Sequence, residues 1–169
     1  TDRANVGRST FYAHFSSKDD LFMACHEAIV SGFQFGPLYS HPLSREEMLS
    51  PDIPPGMTSA FQHLGEARAR LYPIFHSKDG PSNLRRIRDW SAQQIEANLR
   101  AAFADTDGNV PFDVLAKYLA GAQIALMEWW LAKDRSQTPE SLASTFHSLQ
   151  RAAIGAAFPL TTGEQISKS

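Results

Sequence analysis

Arg8, Ser9, Thr10, Tyr12, His14 and Lys18 crowd one short stretch near the start of the chain. Their chemistry is that of hydrogen bonding and positive charge, not of bond breaking. On a helix wheel Phe11 and Phe15, four apart, form one apolar root, while the small residues Ser9 and Ala13 lie opposite. Arg8 and Tyr12 flank one side of that crest, and Thr10 and His14 flank the other. Such a helix suits the major groove of DNA, with a crest that lets the backbone near base edges and flanks that reach phosphates. Elsewhere the sequence offers little chemistry. Its six histidines form no His-x-x-His or His-x-x-x-His pair, so no metal site is expected. Asp105-Thr106-Asp107-Gly108-Asn109 lacks the later acidic ligand of a calcium loop and reads as a turn between helices. No glycine-rich phosphate loop, nucleophile motif or acid–base constellation stands out, so neither a cofactor nor an enzymatic activity is expected.

The ordered run Val6-Gly7-Arg8-Ser9-Thr10-Phe11-Tyr12-Ala13-His14-Phe15-Ser16-Ser17-Lys18, followed by Leu21, resembles the recognition helix and following turn of the TetR family of transcriptional regulators. Likeness is specific over residues 4 to 21. It is weaker at Trp129-Trp130-Leu131, Thr138-Pro139-Glu140 and Phe146-His147, which resemble the last two helices of many members. Asn5 stands where the family usually has glycine, and Asn also tolerates a left-handed conformation. Gly7 replaces the usual serine cap. Only Thr1 to Ala4 could be the tail of the family's second helix, so a longer polypeptide is expected to precede Thr1.

Ser17 is placed to cap the next helix, with Asp20 at its third position in a capping-box-like start. Free amides there, with Lys18, could meet a phosphate, although Asp19 and Asp20 weaken the attraction.

At 169 residues the chain is long enough for one domain with a sizeable core. A formal net charge of −2 exerts no global pull on nucleic acid, so DNA binding must come from a local patch, here Arg3, Arg8 and Lys18 against Asp2. The single cysteine, Cys25, rules out an internal disulfide framework and suits a reducing, cytoplasmic setting. No apolar run is long enough to span a bilayer.

Helical periodicity dominates and no stretch alternates as a strand, so the expected fold class is all-α. Residues 1–17 read as the remnant of a helix-turn-helix head, 18–33 as a connecting helix, and 34–169 as a ligand-binding and dimerising body. Leu21, Phe22, Cys25, Ala28, Ile29 and Phe33 make the stripe of the connecting helix. Residues 34–56, with Pro37, Pro42, Pro51, Pro54 and Pro55, read as a long connector broken by one short turn over 44–49. Thr58 is expected to cap a helix that Pro73 ends or kinks near Tyr72. Ser82 or Asn83 should cap the next, which runs to about Ala104 on the stripe Leu84, Ile87, Ser91, Ile95, Leu99 and Phe103. Arg85, Arg86 and Arg88 there read as an exposed helix face. Pro111 opens a helix through Ala132, and Thr138-Pro139 opens the last, through about Ala157.

In the family an effector pocket lies between the connecting helix and the helices after it. The resemblance therefore implies a site drawn from Phe61, Leu64, Arg68, Tyr72, Trp90, Gln94 and Met127, mostly apolar with a few polar groups. The last two helices carry more apolar surface than one core needs. Leu115, Leu119, Leu126 and Trp130, with Leu142, Phe146, Leu149 and Ala153, are the expected interface of a homodimer built as a four-helix bundle. The resemblance implies a ligand-responsive regulator of double-stranded operator DNA, usually a repressor. The other open reading is a helical ligand-binding or interaction protein without DNA activity, should the head be incomplete in the cell.

Overall fold

A computed structural model describes residues 13–17, 20, 21, 24, 43–54, 56–76, 78, 80–132 and 137–159. Six helices in the body are named here in chain order: α1 (Arg45–Leu49), α2 (Met57–Glu66), α3 (Arg68–His76), α4 (Gly80–Ala102), α5 (Phe112–Ala132) and α6 (Pro139–Ala157). No strand occurs among the described residues, in keeping with the all-α expectation.

Helix α5 is the spine. Its first half joins Ile95 and Leu99 of α4, Phe103 just after it, and Ile154, Ala157 and Phe158 at the end of α6 in one core. Its last turns place Trp130 and Leu131 with Met57, Phe61 and Leu64 of α2 and Leu142, Ala143 and Phe146 at the start of α6. Since late α4 and late α6 both meet early α5, each runs antiparallel to it. Leu84, Ile87 and Ile124 fill the span between the two cores, and Met127 packs against them. The stripe read on α4 is buried throughout, from Leu84 at 8% exposure to Leu99 at 1%.

Local chemistry sets the helix ends. Ser44 and Glu47 form a capping box on α1. Thr138 caps α6 through the Ser141 amide, with Pro139 in the first turn. The Ser17 hydroxyl accepts from the Asp20 amide at 3.0 Å, and the Ser16 hydroxyl donates to the Asp20 carboxylate. The expected cap is therefore in place. These bonds, the one from Ser16 foremost, hold the Asp20 carboxyl below the ordinary aspartate value.

Three expectations about elements are corrected. The chain stays helical past Pro73 to His76 and breaks at Ala67 instead, just after Gly65, a poor helix former. Gly56, with φ 85°, rather than Thr58, occupies the cap of α2, a left-handed position where glycine carries no steric penalty. Helix α4 begins at Gly80, ahead of Ser82.

Residues 43–54 form a fitted strap rather than a loose connector. Leu43 and Met48 are 3% and 4% exposed within the first core. Arg45 donates to the Thr106 hydroxyl at 3.3 Å, and its guanidinium lies 5.5 Å from the centre of the Phe103 ring. The buried His147 imidazole Nε2 lies 2.8 Å from the Ser50 carbonyl oxygen and so donates to it. Beside the strap Phe103 stacks on Phe158 at 4.4 Å. Phe158 lies so close to Gly108 that a Cβ there would fall 2.4 Å from the ring. That close approach explains glycine in the Asp107-Gly108-Asn109 turn.

Candidate functional site

Of the residues expected to touch DNA, only His14 lies among the described residues. It sits exposed in a helical stretch with Ala13, while Phe15 is partly buried, the inside-out pattern required of a helix presenting a polar edge. Arg8, Ser9, Thr10, Tyr12 and Lys18 lie outside the described residues, as does most of the expected connecting helix.

The residues expected to hold an effector divide between core and surface among the described residues. Phe61 and Leu64 are 5% exposed and serve as core, Phe61 packing edge-on against Trp130 at 6.1 Å and Phe146 at 5.6 Å. Arg68 sends its Nε–H to the Leu131 carbonyl at 2.6 Å. That bond satisfies a carbonyl in the last turn of α5, where no basic residue of α5 itself stands. Tyr72 is exposed and stacks on His76. Trp90, Gln94 and Met127 are half-buried, and Met127 packs between the second core and the middle span. An aromatic stripe at helical spacing reads the same whether it lines a pocket or fills a core, and for Phe61 and Leu64 the core takes it.

The interface residues divide in the same way. Leu115, Leu119, Trp130, Leu142 and Phe146 are between 0% and 5% exposed inside their own protomer, so none of them is available to a second copy. Leu126 and Ala153 are half-buried; Leu149, at 62%, is open. The Trp130 indole even donates inward, to the Gln137 carbonyl at 3.3 Å. A different stripe of α5 is open: Val114, Tyr118, Ala122, Ala125 and Trp129 are exposed, the large ones at 52%, 63% and 42% for Val114, Tyr118 and Trp129. These positions recur at helical spacing on one face. On α6, which packs against α5, the open positions Ser141, Thr145, Ser148, Ala152 and Ala156 are small. Sequence reasoning missed this stripe because its apolar residues are interleaved with polar ones such as Lys117.

Residues 52–152 match the family described as "Transcriptional regulator C-terminal region", and residues 1–25 match "Bacterial regulatory proteins, tetR family". The chain belongs to the TetR family of transcriptional regulators. Within that family frame α2 to α6 fall in the C-terminal regulator region, apart from the last turn of α6, and the Ser17 cap falls in the N-terminal match. No curated protein and no solved structure matches the chain. No helix of the described residues is long and apolar enough to cross a membrane, and among them no three His, Cys, Asp or Glu side chains cluster as metal ligands.

Proposed function

We propose that this TetR-family regulator is a repressor that binds a palindromic operator as a homodimer and is released from it by a small-molecule effector. One observation carries the reading: the stripe Val114, Tyr118, Ala122, Ala125 and Trp129 on α5 is apolar, exposed and not needed by the protomer's own core. A monomer rarely leaves large aromatic residues open at helical spacing along one face. The small open residues of α6 would let a second copy's helix approach closely, and two such pairs make a four-helix bundle with two-fold symmetry. That two-fold would set two recognition helices on successive turns of one DNA face. Exposed His14, the Ser17-capped helix start and the match of residues 1–25 support DNA contact at the opposite task, reading the operator.

The test is DNA binding by the intact natural protein. Fluorescence anisotropy on palindromic duplexes selected from a random pool by the protein should give salt-dependent binding, weakened broadly by Tyr12→Ala and His14→Ala and shifted in sequence preference by Arg8 or Ser9 changes. Lys18→Ala should lower the salt slope by about one. Binding that is insensitive to all of these, or absent, would leave a helical ligand-binding protein as the better reading.

A further inference from the structure

Charge is not spread evenly over this chain. Residues 68–88 hold six of its sixteen Lys and Arg and one of its eighteen Asp and Glu, against a formal net charge of −2 for the whole. The fold keeps that imbalance at one end of the body, around the turn from α3 into α4. Lys78, Arg85 and Arg88 are exposed there, and Arg85 and Arg88, three apart, share a face of α4. No ion pair ties either arginine down among the described residues. Arg68 is spent on the Leu131 carbonyl and Arg86 is half-buried, so neither adds to the open face. Helix α4 does add to it, with no acidic residue in its first turn and the positive end of its dipole in the same place. Asp89, one turn beyond Arg85, is the only exposed carboxylate described on that half of the helix. The other end of α4, about 34 Å away at helical rise, has the opposite sign. Glu46, Glu47, Asp105, Asp107 and Asp113 are exposed around the strap, while Arg45 is turned onto Thr106 and Phe103 and Arg100 is bridged to Glu96 at 2.7 Å. A body polarised in this way is drawn to a polyanion by its α3–α4 end and pushed from it by its strap.

We propose, on the operator-binding reading above, that Lys78, Arg85 and Arg88 at the α3–α4 end make a second contact with DNA, one that takes the duplex phosphates flanking the operator and reads no sequence. Arginine and lysine meet phosphate oxygens whatever the base, and a chain of net negative charge needs local patches of this kind to hold a duplex. Entry of the chain at the strap does not bar this placement. The segment 18–33, expected to connect head and body, covers about 24 Å at helical rise, so a head joined there can still lie toward the other end.

The measurement compares two duplexes with the same selected palindrome, one ending at its edges and one extended by about one helical turn on each side. With the intact natural protein the extended duplex should bind roughly tenfold more tightly at low salt, with a salt slope steeper by about one for each arginine that meets a phosphate. Arg85→Gln combined with Arg88→Gln should erase most of that advantage and leave helicity and binding of the short duplex unchanged. Arg85→Lys combined with Arg88→Lys should keep most of it, because lysine still meets phosphate as a point charge. Arg100→Gln, the same loss of charge at the strap end of α4, should leave the advantage intact. Equal binding of the two duplexes by the parent, an advantage that survives the double glutamine variant, or an equal loss in Arg100→Gln would each overturn the contact while the operator reading stands. Binding of polyglutamate that depends on Arg85 and Arg88, with no length effect on DNA, would assign this end to an acidic protein instead. Failure of the parent to bind either duplex would remove the operator reading and this contact with it.

Discussion

Helix α5 presents two apolar faces of opposite fate, and α6 sets one buried apolar face against an open one of mostly small residues. Leu119, Trp130, Leu142 and Phe146 look inward and are almost wholly buried. Val114, Tyr118, Trp129 and Leu149 are also large apolar or aromatic residues on the same helices and remain open. Adjacent tryptophans make the contrast sharpest, since Trp129 is 42% exposed and Trp130 is 3%. The lesson is that an apolar stripe states only that something must cover it. Whether the cover is the same chain or another one depends on which stripe the remaining helices reach first, and that is a property of the packed body.

The contrast can be broken most forcefully from inside. Leu142→Ala removes a side chain with no exposed surface and should cost about 2–5 kcal/mol, read as a lower denaturation midpoint. Phe146→Glu should prevent folding, because it buries an unpaired charge beside Phe61. Neither loss would be rescued by raising protein concentration if the inner face is purely a protomer core.

From outside the outcome should differ in kind. Tyr118→Glu combined with Leu149→Glu should leave helicity intact and halve the mass seen by light scattering. An unmodified protein that is monomeric at micromolar concentration would remove the outer face from the comparison altogether.

A smaller effect sharpens where the two faces part. Arg68→Ala deletes the side-chain cap on Leu131 and should cost about 1–2 kcal/mol, with hydrogen exchange rising in the last turn of α5. Arg68→Lys should restore only part of it, because a lysine ammonium lacks the planar guanidinium geometry.

The smallest effect lies at the start of α6. Hydrogen bonds from its own amide, from the Gln62 side chain and from Thr138 hold the Glu140 carboxyl below the ordinary glutamate value. Because the native value is the lower one, this stabilisation is complete above the ordinary glutamate range and is lost as pH falls through the native value. Glu140→Gln should therefore lower the melting temperature slightly at neutral pH and not at all in strong acid. The exposure of the Gln62–Glu140 pair keeps the difference small.

Much of the fold was legible because local signals and burial agree. The α4 stripe, the Ser17 and Thr138 caps and the end of α6 near Ala157 each follow from spacing or a capping residue. Pro73 misled because proline disfavours helix at the residue before it without forbidding it, and the break fell at Gly65–Ala67 instead. The strap was illegible for another reason: in a proline-rich stretch Leu43 and Met48 show no period, and only their fit against distant helices buries them. Five of the expected interface residues, Leu115, Leu119, Trp130, Leu142 and Phe146, and two of the expected effector residues, Phe61 and Leu64, are buried in the protomer's own core on the same ambiguity. Size and apolarity identify a residue that will be covered, and the identity of the cover is not local information.

The strap also bears on the order in which the chain assembles. Its two side-chain ties join Arg45 to Thr106 and Ser50 to His147, partners far apart in sequence, whereas α4 and α5 are consecutive and can pair across a short turn. Closing the longer loops costs more chain entropy and can be repaid only after α4, α5 and α6 have come together to receive Met48. The strap is then the last piece to dock and the first to leave. In native-state hydrogen exchange its amides should open in a unit of their own, at a free energy well below that of α4 and α5, while the bundle beneath remains closed.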